Sequence, residues 1–123
     1  MTEAYEAPAF SVTVSRRGAV STVAIRGELD ILTEPEVLAA LAGLEPGYET
    51  LVIDLSECAF FASSGISMLL DLNTRGAREG FQLVVIRAPA EAQRIFDLTS
   101  LEEILTFQER AGPDSGPWPT RYE

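Results

Sequence analysis

Two adjacent hydroxyls, Ser63 and Ser64, stand in the run Phe60-Phe61-Ala62-Ser63-Ser64-Gly65, between a strand-like stretch at residues 51–56 and a helix-like stretch at residues 66–72. A strand-to-helix junction suits phosphoryl chemistry. The first N–H groups of a helix lack internal partners, and the positive end of its dipole favours anionic charge. Phosphorylating a serine there would add about −1.5 to −2 of charge and three strong acceptor oxygens to a surface that otherwise docks a partner. The same residues have a plainer use, because serine is a favoured helix N-cap. The residues alone leave both uses open.

Other chemistry is sparse. The 123 residues contain no histidine and one cysteine, Cys58, which excludes histidine-dependent triads, the usual zinc sites and an internal disulfide. Paired carboxylates occur in any acidic chain, and no Gly-rich phosphate cradle or nucleophile with an evident base is present. The expectation is therefore a protein that is not an enzyme, with no catalytic residue, metal ligand or cofactor. Cys58 reads as a small buried hydrophobe.

Nineteen acidic against nine basic side chains give a net charge of −10, which opposes direct binding to nucleic acid or anionic lipid. A basic protein surface suits it better as a partner, although the acidity also serves solubility. The longest apolar runs are too short for membrane insertion. Acidic residues near Met1 stand where a signal peptide carries basic ones, so a cytoplasmic location is expected.

The elements that must position the serines follow from periodicity. Phe10-Ser11-Val12-Thr13-Val14 and Val20-Ser21-Thr22-Val23-Ala24-Ile25 alternate as half-buried strands, with Arg16-Arg17-Gly18 as the turn of a hairpin. Thr33 and Glu36 have capping-box spacing, and Pro35 suits a first turn, so a helix starts near Glu34 and ends at Pro46-Gly47. Val37, Leu38, Leu41 and Leu44 form its apolar stripe. Residues 51–55 are a central strand, with Asp54 the polar exception. The next helix places Ile66, Leu69, Leu70 and Asn73 on one face, broadened by Met68 and Leu72, and closes over residues 75–80. A further strand at residues 81–86, a helix from Pro89 carrying Ala92, Ile95 and Phe96 at i, i+3 and i+4 spacing, and a last strand at residues 104–107 complete the pattern.

Strand and helix thus alternate after a hairpin, which predicts an α/β fold (α+β by layer), a mixed sheet with helices mainly on one face. Residues 1–9 read as a flexible N-terminus, 10–107 as one domain, and 108–123 as a tail whose three prolines and two glycines between residues 112 and 119 discourage a helix.

Four segments in this order, Gly27-Glu28-Leu29-Asp30, Leu51-Val52-Ile53-Asp54-Leu55-Ser56, Ala62-Ser63-Ser64-Gly65-Ile66 and Arg94-Ile95-Phe96-Asp97-Leu98, resemble a STAS domain of the anti-sigma factor antagonist family. The resemblance implies that Ser63 is the phosphoryl acceptor of an anti-sigma factor with serine kinase activity, and that a protein serine phosphatase resets it. The unphosphorylated form would bind the anti-sigma factor and free a sigma factor, regulating transcription in a stress response by partner switching. Asp30, Ala62, Ser64, Gly65 and Ile66 would support the loop and meet the partner. Two departures stand out. The family motif commonly has an acidic residue where this chain has Ala62, and the family tends to end on a further helix that Gly112-Pro113 and Gly116-Pro117 discourage. Ala62 also suits an alternative, a STAS scaffold or transporter-accessory subunit that is never phosphorylated.

Overall fold

A computed structural model describes residues 9–110; the expectations for residues 1–8 and 111–123 lie outside the described residues. The chain runs β1 (Ser11–Arg17), β2 (Val20–Leu29), α1 (Glu34–Ala42), β3 (Thr50–Phe61), α2 (Ser63–Glu79), β4 (Gln82–Ile86), α3 (Ala90–Leu98), a 3₁₀ turn (Leu101–Glu103) and β5 (Phe107–Gln108). The strands form one sheet in the order β1-β2-β3-β4-β5. Only β1–β2 is antiparallel, and the other three pairings are parallel. This is the mixed α/β sheet that the alternation of elements predicts.

Side-chain alternation sorts the two faces of the sheet. Val23, Ile25, Leu51, Ile53, Leu55, Leu83 and Val85 point to one side and join helix residues such as Val37, Leu41, Met68, Leu69 and Phe96 in the main core. Val52, Val84 and Ile86 cluster on the other side, and no helical residue belongs to that cluster. The helices therefore share one face. Both sides of β3 and β4 are buried, which is why these strands read as continuous apolar runs.

Several boundaries differ from the sequence reading. The hairpin turn is Gly18-Ala19, with Arg16 and Arg17 still in β1; Gly18 has φ +59°, a value glycine adopts without strain. The Thr33–Glu36 capping box does not form. Thr33 makes no cap bond, because its hydroxyl donates to the carbonyl of Glu28 at 2.8 Å and accepts from the amide of Asp30 at 2.9 Å. α1 stops at Ala42, before Pro46-Gly47, with Gly43 as its C-cap. Helix α2 runs through residues 75–79, and Gly80 closes it in the left-handed region, its amide on the carbonyl of Gly76. Gly76 sits inside the helix because a Cβ there would lie 2.6 Å from the carbonyl oxygen of Phe81. The buried stripe of α2 is Gly65, Met68, Leu69, Leu72 and Gly76, with Ile66 and Leu70 only packed at its side. Of the last strand expected at residues 104–107, only Phe107 pairs, joined by Gln108. A 3₁₀ turn comes first, and Ile104 is exposed.

The largest difference is the length of β3. It continues past Leu55 to Phe61, pairing with the end of β2 through two register shifts. Between Ala24↔Asp54 and Arg26↔Glu57, β3 advances one residue more than β2, and it does so again between Gly27↔Cys58 and Glu28↔Phe60. Each bulge flips the side-chain alternation. That erases the period-two pattern over residues 56–61.

Candidate functional site

Because β3 ends at Phe61 and α2 begins at Ser63, Ala62 alone joins strand to helix. Its φ of −95° and ψ of 171° are those of an extended N-cap, and its methyl group can accept no hydrogen bond. The first turn of α2 also holds no acidic residue. This corrects the reading of a serine as the cap: Ser63 and Ser64 are the first two helical residues. The junction is anchored from the main chain. The Ala62 amide donates to the carbonyl of Leu29 at 3.0 Å, and its carbonyl accepts from the amide of Gly65 at 3.0 Å.

The two hydroxyls have opposite environments. Ser63 is exposed, whereas the Oγ of Ser64 is buried and has no hydrogen-bond partner. Gly65 is buried against the end of β2, where a Cβ would come within 3.0 Å of Leu29 Cδ2. A side chain there would fit only if the Leu29 side chain gave way by a few tenths of an ångström. Ile66 is half-buried and packs on the main core.

Asp30 spends its carboxylate on its own turn. Oδ1 accepts from the amides of Leu32 and Thr33 at 3.0 and 3.1 Å. It thereby holds the β2–α1 connection, one residue beyond the Leu29 carbonyl that receives Ala62. Cys58 is fully buried, and its thiol donates to the carbonyl of Phe60 at 3.3 Å. Burial pushes that thiol above its ordinary value.

The sequence reading missed the apolar surroundings. Ile31 is 74% exposed, Leu32 83% and Phe60 49%. All three lie at the end of the sheet where Glu28 pairs with Phe60 and Leu29 with Phe61. The signal was there in Ile31-Leu32, an apolar pair placed between a strand and a helix where neither element can bury it. Beside α2, a groove of about 460 Å³ separates it from α1, with Leu41, Met68 and Leu72 below and Ser64 and Ser67 along one side. Among the described residues no group of three or more His, Cys, Asp or Glu side chains is placed to hold a metal ion. No described helix is long and apolar enough to cross a membrane.

A family model described as "Mlab, STAS domain" matches residues 12–106, from β1 to the residue before β5. The chain belongs to the STAS domain family. This STAS domain superposes on the crystal structure of an anti-sigma factor antagonist from Mycobacterium paratuberculosis with a TM-score of 0.68 and 28% identity, over 93% of this chain and 91% of that one. It shares its fold, at 15% identity and a TM-score of 0.65, with the anti-sigma factor antagonist SpoIIAA in its unphosphorylated form, over 83% of this chain and 90% of that one. It is also 29% identical over 75 residues, 61% of its length, to Osmosensory protein A of Mycobacterium tuberculosis. The chain spans 48% of that relative, about half.

Proposed function

We propose that this STAS protein is an anti-sigma factor antagonist that binds a kinase-type anti-sigma factor at the Ser63 end of its sheet and is released when Ser63 is phosphorylated. The observation that carries the reading is the contrast between the neighbouring serines, an exposed Ser63 at an uncapped helix N-terminus and a Ser64 whose Oγ is buried. Only the first can enter a kinase active site without local unfolding. The likeness to an anti-sigma factor antagonist over nearly the whole chain supports the class of partner.

The chemistry belongs to the partner. Ser63 Oγ attacks the γ-phosphorus of ATP, the bond to the bridging oxygen breaks, ADP leaves, and the hydroxyl proton passes to the kinase's base; the kinase also holds the magnesium. This chain positions the nucleophile at a helix start and exposes Ile31, Leu32 and Phe60 at the same end of the sheet, apolar area for the unphosphorylated contact. The product is a dianion at the positive end of α2, stabilised within this chain by free N–H groups. The same dianion is desolvated and unpaired inside an apolar contact, so it favours the dissociated state. A serine phosphatase returns the hydroxyl by hydrolysis.

Mass mapping after incubation with the anti-sigma kinase and ATP, beside binding titrations, tests each link. Ser63→Ala is expected to bind and resist modification, and Ser63→Glu to bind at least about tenfold more weakly, about 1.4 kcal/mol. Phosphate on Ser64 alone, or unchanged affinity after phosphorylation of Ser63, would refute the assignment. A second reading, a STAS scaffold or transporter-accessory subunit that is not phosphorylated, is favoured by Ala62, which leaves the motif without its usual acid. Association with a transporter ATPase, with Ser63 unmodified, would select it.

A further inference from the structure

We infer that the helix-free side of the sheet carries a second site, a cavity for a small zwitterion with an ammonium group at one end and a carboxylate at the other. The cavity measures about 350 Å³ and is formed by β1, β2 and β3 together with Arg110. It lies across the sheet from the main core, and nothing in the partner-switching reading uses it.

Its centre is Asp54. This residue is 7% exposed, and a carboxylate so deeply placed needs a counter-charge or a full set of hydrogen bonds. Among the described residues it has neither. No basic group forms an ion pair with it, and its one hydrogen bond comes from the Ser56 amide, 2.9 Å from Oδ1. That bond satisfies the N–H freed by the first β3 bulge, so Oδ1 has a structural duty and Oδ2 is left to the cavity. Thr13 and Thr22 supply hydroxyl oxygens in the same cavity, acceptors for an ammonium that Asp54 would neutralise. Hydroxyls and one carboxylate make a cation subsite.

The rim offers the opposite charge. Arg26 and Arg110 both reach Glu57, at 3.4 and 3.6 Å, and Arg110 also donates to the Ser56 hydroxyl at 2.9 Å. Two guanidinium groups share one carboxylate at loose ion-pair distances, and both are about half exposed. Arg110 is held a second time by the Ser56 hydroxyl, so Arg26 is the one free to turn its remaining donors onto a ligand carboxylate. Buried anion inside and paired cations at the rim fit an amino-acid-like molecule, with the ammonium inward. Strand β3 links this cavity to the other end of the sheet, since the residues from Asp54 lead directly to Ala62 and Ser63.

Amide chemical shifts of the full chain, followed during titration with glycine, β-alanine and γ-aminobutyrate, test the site, because the three differ only in the separation of their charges. Butylamine and butyrate serve as single-charge controls. Saturable shifts at Thr13, Thr22, Asp54 and Ser56 are expected with at least one zwitterion. Either control should bind at least about tenfold more weakly, the effect of one lost charge contact. Asp54→Asn and Arg26→Gln should each weaken binding by a similar factor, and Arg26→Gln, at an exposed position, keeps the test open where Asp54→Asn unfolds the strand. Linear or scattered shifts, equal binding of butylamine, or titrations unchanged in Arg26→Gln would overturn the inference.

Discussion

Replacing Ala62 by aspartate should stabilise the domain. Ala62 occupies the N-cap of α2 with φ −95° and ψ 171°, the extended geometry from which a short acceptor reaches the amide two or three residues on. The Gly65 amide is already bonded to the Ala62 carbonyl, so the new carboxylate would take the Ser64 amide, which α2 leaves unpaired as one of its first N–H groups. A side-chain cap is worth about 1 kcal/mol, and a negative charge in a first turn without acidic residues adds about 0.3–1 kcal/mol. Together these give about 1.5 kcal/mol. For a domain of about 100 residues that is a rise in Tm of roughly 6–12 °C. Urea titration should show a higher midpoint at unchanged slope. Ala62→Asn separates the contributions, retaining the cap without the charge, and the advantage of Asp over Asn should begin to fall near the unfolded value of about 3.9 and be lost as pH drops through the lowered folded one. Stability within about 0.5 kcal/mol of wild type for both variants would show that the amides of this helix start are already satisfied, and would remove the uncapped N-terminus from the account of Ser63.

Ser64→Ala should stabilise the protein by about 1 kcal/mol in the same assay, because the change removes a buried hydroxyl with no partner; a loss of that size would mean that Oγ is bonded in solution. The ion pair between Arg87, just after β4, and Glu102 of the 3₁₀ turn should make stability acid-sensitive. Glu102 lies below the ordinary glutamate range, first because Arg87 hydrogen-bonds it and also through charge attraction to that arginine. Its contribution is complete above the unfolded value and is lost as pH falls through the lowered folded one. Glu102→Gln should flatten that part of the stability–pH curve, and an unchanged acid slope would refute the coupling.

Much of the fold was legible because β3, apart from Asp54, and β4 carry apolar runs and α1 and α2 carry helical stripes, patterns that burial on a sheet imposes directly. The serine pair was legible as a motif. Its geometry was not, because two bulges in β3 slide the strand to Phe61 and move the cap from a serine to Ala62. Thr33 misled in the same way: spacing suggested a capping box, but the carbonyl of Glu28 and the amide of Asp30, both set by the course of β2, took its hydroxyl.

The order of elements, the mixed sheet with helices on one side and the presence of two candidate acceptors at a strand-to-helix junction were determined by local pattern alone. Which serine is exposed, which apolar residues flank it and where Asp54 points were decided only by the tertiary structure. Local propensity depends on a residue and its near neighbours. Exposure depends on which distant strand lies alongside, and a one-residue slip in register moves every later side chain to the opposite face.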